Sequence, residues 1–143
     1  MHHGEGPVEW LSEDECWELL RTQALGRIAT SAGGVLDIFP VNYYADGANL
    51  FFRTSPGDKL VELTINENIA FEVDAYTDQI AWSVIAKGTA HALERQSEID
   101  QAENLPLNSW IPTPKSVFVR ITPQSLTGRR FEPGPEPEWA EPS

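Results

Sequence analysis

Cysteine is nearly absent from this chain. Cys16 is the only one in 143 residues, so no internal disulfide and no multi-cysteine metal site can form. Histidine is almost as scarce. Of three histidines, His2 and His3 sit at the N-terminus, and only His91 lies in the body of the sequence. One histidine cannot build a zinc site or a facial triad. Basic residues are few: 10 Lys and Arg stand against 22 Asp and Glu, for a net charge of -12. So acidic a chain has no general attraction for nucleic acid or an anionic membrane. A phosphorylated ligand would need a local basic site instead. No apolar run approaches the ~20 residues of a transmembrane helix, and the first residues show no signal-peptide pattern. With the lone cysteine, this points to a cytoplasmic protein with no membrane partner. Glycine fingerprints of the P-loop or GxGxxG kind are missing, and no nucleophile elbow accompanies His91.

What is present centres on residues 50–60. Leu50, Phe51 and Phe52 form an apolar, aromatic run suited to a strand. Ser55 can cap a helix, Pro56 suits its first position, and Asp58 falls three residues after the cap. Leu60, Val61 and Leu63 continue with helical spacing. A helix start carries unpaired N–H groups and partial positive charge, which favour anions and phosphate above all. Arg53, Thr54, Ser55 and Lys59 add two cations and two hydroxyls at the same place. The stretch reads equally as a phosphate seat or as an ordinary capped turn with surface cations.

Around it, residues 1–11 read as a loose lead-in. Ser12 opens a helix with a Glu15 capping box, and Cys16, Leu19, Leu20 and Gln23 share one face. The period then changes to two. Strands are expected at 26–30, 35–44, 49–54, 68–75, 80–93, 116–121 and 125–131, with short helices following Ser55 and over 97–104. Pro40 inside the second strand requires an edge or a bulge there, because proline cannot donate to a ladder. Gly88 suggests a bulge in the fifth strand. Glu62, Glu67 and Glu72 read as solvated carboxylates. Residues 132–143 form an acidic, proline-rich tail with the composition of a disordered segment. This pattern predicts a mainly β domain over 12–131 with peripheral helices: a six- to seven-stranded small antiparallel barrel, or else a two-layer sandwich. Phe39, Tyr43, Tyr44, Trp82 and Trp110 exceed what a core needs, although core packing or a dimer interface accounts for any one of them.

The ordered set of segments resembles the FMN-binding split-barrel proteins related to pyridoxamine 5'-phosphate oxidase. The resemblance runs over about residues 12–131. It rests on Gly26–Thr30, Phe39-Pro40-Val41-Asn42-Tyr43, Thr54 with Lys59, Ile69–Asp74, Trp82–Ala90, and Val117–Pro123 with Thr127–Phe131. It implies a homodimeric antiparallel split β-barrel with two FMN molecules at the interface. Backbone at Phe39, Pro40, Val41 and Asn42 would lie against the flavin ring, and Arg53, Thr54, Ser55 and Lys59 would hold the phosphate. Ser83, with Trp82 beside it, would come near the ring. Trp110 and Arg129 or Arg130 would reach in from the partner subunit, and Tyr43, Trp82 and Trp110 would wall the substrate side. The implied activity is an FMN-dependent oxidoreductase acting on a small-molecule substrate or electron acceptor. A deazaflavin cofactor, or a non-catalytic flavin-binding dimer, are the alternatives. The chain departs from the oxidase where that enzyme carries an arginine and a lysine on the second strand. Here those positions fall near Ile38 and at Tyr43, which argues against a pyridoxine or pyridoxamine phosphate substrate and leaves Arg27, Arg53 or Lys87 as compensating cations.

Overall fold

A computed structural model describes residues 8–55, 68–107 and 117–132. Within them the chain is mainly β, with eight strands and two helices. In order these are β1 (Val8–Trp10), α1 (Glu13–Leu20), β2 (Leu25–Ala32), β3 (Val35–Asn42), β4 (Tyr44–Ala45), β5 (Leu50–Thr54), β6 (Asn68–Tyr76), β7 (Ala81–Ala92), α2 (Gln96–Glu103) and β8 (Val117–Phe131). The helix expected after Ser55 and the loop around Trp110 lie outside the described residues.

Every ladder is antiparallel. The strand order is β3-β2-β6-β7-β8-β5-β4, with β1 added to β8. The two ends of this path, β3 and β4, are consecutive in sequence and separated only by Tyr43. The sheet must therefore curl on itself, and β3 comes to lie against β5 without a ladder between them. This is an antiparallel split barrel. Pro40 sits opposite Arg27 on β3, which is paired on one side only, so its missing N–H costs no ladder bond. The irregularity expected at Gly88 is present as a register shift between Lys87 and Gly88, but the extra residue, Gln124, lies on β8 opposite it.

Three differences from the sequence reading follow from pairings that a single chain does not announce. Val8–Trp10, read as lead-in, pairs with Arg129–Phe131. The strand read as 35–44 breaks at Tyr43, whose N–H donates to the Ala24 carbonyl and whose hydroxyl donates to the Leu20 carbonyl at 2.6 Å. The two last strands are one, because Thr122-Pro123 stays extended within β8 beside the bulge at Gln124.

Alternation sends one side chain in two to the inside. Ile28, Leu50, Phe52, Phe71, Val73, Val84, Ala86, Val119 and Ile121 form the interior. Helix α1 closes one side through Cys16 and Leu20. Its start carries the expected capping box, with the Glu15 N–H donating to Ser12 Oγ and the Ser12 N–H donating to Glu15 Oε1. Helix α2 covers a second, smaller cluster of Leu93, Ala102, Leu107 and Phe118, and an Arg120–Glu98 ion pair at 2.8 Å ties it to β8. Among the described residues no helix is long and apolar enough to cross a membrane.

Candidate functional site

The sequence-selected residues fall into two groups. The first lies where β3 meets β5. Phe39, Pro40, Val41 and Asn42 end β3, and Arg53 and Thr54 end β5 with Ser55 immediately after. Thr54 is buried and Ser55 half-buried at the mouth of the segment that continues beyond the described residues. The Arg53 guanidinium lies 6.0 Å from the centre of the Phe118 ring, and its Nη1 reaches the Leu107 carbonyl at 3.5 Å. The side chain is thus laid along β8 and the end of the α2 region rather than waving in solvent. Val41 is buried, while Pro40 is exposed on the outside of the barrel. Lys59 and Trp110 lie outside the described residues.

The second group opens β7 and ends β8. Ser83 is paired with both Asp74 and Arg129 across adjacent ladders. Together with Glu72, Tyr76, Ile85 and Phe131 these line a surface cavity of about 490 Å³ on the outer face of the sheet. The Arg129 guanidinium rests 5.9 Å from the centre of the Trp10 ring, held there by the β1–β8 pairing. Trp82 belongs to this segment, but it is 7% exposed and packs in the main core. Tyr43 is also a core residue, packed edge-on to Phe71 at 5.1 Å. Burial raises its phenol well above the usual range, so it stays protonated. Tyr43 is thus enclosed in the core, whereas Trp82, though mostly buried, is among the residues that line the cavity.

Between the two groups runs a line of outward residues: Pro40 on β3, Arg27 on β2, Glu72 on β6, Ile85 on β7 and Thr127 on β8. Pro40 and Ile85 are three strand spacings apart, about 14 Å. Within one chain Pro40 and the Ser83–Arg129 group therefore share one face but stand about three strands apart.

The line contains a cluster that the sequence reading missed. Arg27 Nη1 contacts Glu72 Oε1 at 2.8 Å and Asp74 Oδ1 at 3.7 Å. Glu72 is thus not a solvated carboxylate. Burial, and then the neighbouring Asp74, push its carboxyl up to about 7, against the opposing pull of Arg27. Arg27 is committed to these two acids, so it is not a spare cation for a phosphate. Lys87 lies farther along β7, lining a different groove with Ala29, Leu36 and Gln124, and is remote from Arg53. Of the compensating cations considered, Arg53 alone stands at the β3–β5 junction. The alternation of Glu72 and Asp74 was visible in the sequence, but their sharing of Arg27 depends on the β2–β6 register. Among the described residues no group of His, Cys, Asp or Glu could hold a metal ion.

Comparison with known proteins places this architecture. The sequence profile of the family described as pyridoxamine 5'-phosphate oxidase matches residues 12–130. The chain belongs to the pyridoxamine 5'-phosphate oxidase family. A crystal structure from Corynebacterium glutamicum, named as a candidate pyridoxamine 5'-phosphate oxidase, is 40% identical, with a TM-score of 0.85 over 92% of this chain and 98% of that one. The FAD-binding protein of Mycobacterium smegmatis is also 40% identical, with a TM-score of 0.80 over 87% of this chain and 99% of that one. An uncharacterised protein of Mycobacterium tuberculosis is 38% identical over 92 residues, 64% of this chain and 84% of its own length. The family's split barrel is the fold described above.

Proposed function

We propose that this member of the pyridoxamine 5'-phosphate oxidase family is a homodimeric flavoprotein. In this reading the flavin phosphate is held at the β3–β5 junction, and the protein is an oxidoreductase of small molecules. The observation that carries the reading is the meeting of two features at one place. Arg53, Thr54 and Ser55 supply a cation and two hydroxyls at the end of β5. Beside them lies β3, a strand with a ladder on one side only. Phosphate binding uses charge-assisted donors of this type, and an unladdered strand edge leaves backbone groups free to meet a ring bearing N–H and C=O groups. The residues present therefore fit a flavin nucleotide. Lys59 would complete the phosphate contacts.

When bound, the flavin supplies the hydride or electron transfer, and the protein supplies position and polarity. Asn42 and Pro40 would orient one edge of the ring and Arg53 would fix the phosphate. Ser83 and Arg129, about three strands away on the same chain, would serve the ring bound to the other copy. The dimer reading rests on the outer sheet face. Six large apolar side chains are exposed among the described residues, and five of them (Leu25, Leu36, Ile38, Tyr76 and Phe131) project from that one face. The same face carries Arg27, Lys87 and Arg129 against Glu72 and Asp74, a mixed pattern in a chain whose net charge is -12. It is where two such acidic copies can approach at least electrostatic cost.

FMN is the first reading of the nucleotide. FAD is the second, favoured because the Mycobacterium smegmatis relative is named for binding FAD. The test is a fluorescence titration of the purified protein with FMN, FAD and the deazaflavin, beside Arg53→Ala. Micromolar or tighter binding of FMN or FAD that weakens by roughly tenfold in the variant, as for a lost charge-assisted phosphate contact, supports the site. Binding only of the deazaflavin replaces the cofactor. Binding unchanged in Arg53→Ala moves the phosphate elsewhere, and no binding of any of the three removes the flavin reading.

A further inference from the structure

Arg27, Glu72 and Asp74 form a three-charge cluster at the middle of an otherwise apolar and small-residue face. Their surroundings on that face are Leu25, Ala29, Ile38, Pro40, Ala70 and Ile85. One guanidinium serves two carboxylates, at 2.8 and 3.7 Å, so the cluster carries one uncompensated negative charge when both acids are ionised. The remaining charged groups on the face stand farther off. Lys87 on β7 is diagonal to Glu72, its direct partner being Ala70. Arg129 on β8 is two strands from Asp74 and stacked on Trp10. Neighbouring β3 presents Pro40 and Ile38 there and no charge.

We infer that this cluster is a proton-linked latch: docking of the second copy takes up one proton per chain, shared by Glu72 and Asp74, and the dimer is held more tightly as pH falls. The inference deepens the homodimer reading above and rests on it. Covering the face removes water from a cluster with one excess negative charge, and charge that is not fully compensated is costly to desolvate. Protonation removes that charge and turns the Glu72–Asp74 contact into a carboxyl–carboxylate hydrogen bond. The sign follows from linkage. Glu72 already titrates at about 7 in the single chain, because of burial and then Asp74. A dimer that excludes water raises it further. The associated state therefore binds protons more strongly than the separated copies do. The extra association is fully present below about 7 and is lost as pH rises from there through the higher value of the dimer.

The measurement is subunit exchange between donor- and acceptor-labelled full-length chains, which reads the dissociation rate even where the dimer is tight. Wild type is expected to exchange about tenfold faster near pH 9 than near pH 6, as follows if each of the two docked carboxyls holds its proton about threefold more tightly than the free one. Glu72→Gln, which is neutral at both pH values, is expected to exchange at one rate. Equal wild-type rates at the two pH values, with a dimer present, overturn the latch and leave the dimer standing; they would mean that Lys87 or Arg129 of the other copy neutralises the acids instead. A pH dependence that persists in Glu72→Gln assigns the effect to another group and also overturns it. A chain that is monomeric by light scattering near pH 6 fails the homodimer reading itself. Asp74→Asn, with the same fold checked by circular dichroism, is expected to flatten the profile as Glu72→Gln does.

Discussion

At the scale of single residues, the positions that decide this barrel are small ones pressed against backbone. Gly88 marks the register shift between β7 and β8. A Cβ built there would run into the Thr122 carbonyl oxygen and the Pro123 Cα. These are main-chain atoms of the central ladder, which cannot rotate away. Gly88→Ala is therefore expected to destabilise the protein by about 1–3 kcal/mol, the usual cost of overpacking, read as a lower urea midpoint with an unchanged slope. Gly26 and Gly128 face side chains instead, the Phe71 ring and the Cys16 thiol. Cys16 is correspondingly a packing residue. Burial, then Glu15 and Glu13, raise its thiol, which keeps it in the unreactive protonated form.

At the scale of elements, local chemistry and long-range register contribute differently. Helix α1 begins at a capping box that could be read directly from Ser12 and Glu15, and both of its hydrogen bonds form. Ser12→Ala should cost about 1 kcal/mol, seen as a lower melting temperature with the barrel otherwise intact. Pro40 on an unladdered strand and the irregularity at Gly88 were legible for the same reason: each residue type forbids the ordinary arrangement at its own position. What was not legible depended on partners distant in the chain. Val8–Trp10 has no strand signature of its own and is ordered by Arg129–Phe131. The extra strand break at Tyr43 comes from a hydroxyl that reaches back 23 residues to Leu20. Thr122-Pro123 looked like a turn because proline commonly makes one, yet beside a bulge it continues the strand. The candidate site divides along the same line. Arg53, Thr54 and Ser55 could be chosen from adjacent residues, whereas the Arg27–Glu72–Asp74 cluster exists only through the pairing of β2 with β6.

At the scale of the whole molecule, the distribution of burial separates two faces of one curved sheet. The inner face is filled by Phe52, Phe71, Ile121 and their neighbours, and α2 covers the outer side of β5 and the first part of β8. The remaining outer face presents Leu36 at 80% and Ile38 at 69% exposure, both beside the small floor of Ala29 and Ala70. Side chains of this size left in water beside a shallow groove mark a surface that is covered in the working form of a protein. A second copy related by a two-fold axis would cover its own apolar stripe with the same stripe. Ile38 is the position that tests this, because its exposure means that a polar replacement costs the single chain little. Ile38→Lys is expected to leave the single chain folded, with an unchanged far-ultraviolet circular dichroism spectrum and an intrinsic cost within about 0.5 kcal/mol, while melting falls only by the stabilisation that association supplied. It is also expected to shift the molar mass by light scattering from two chains towards one, because a charge would then be buried in an apolar contact. Retention of a wild-type dimer in Ile38→Lys would place the interface on another face. It would also separate the Ser83–Arg129 group from any flavin held at the β3–β5 junction of the partner.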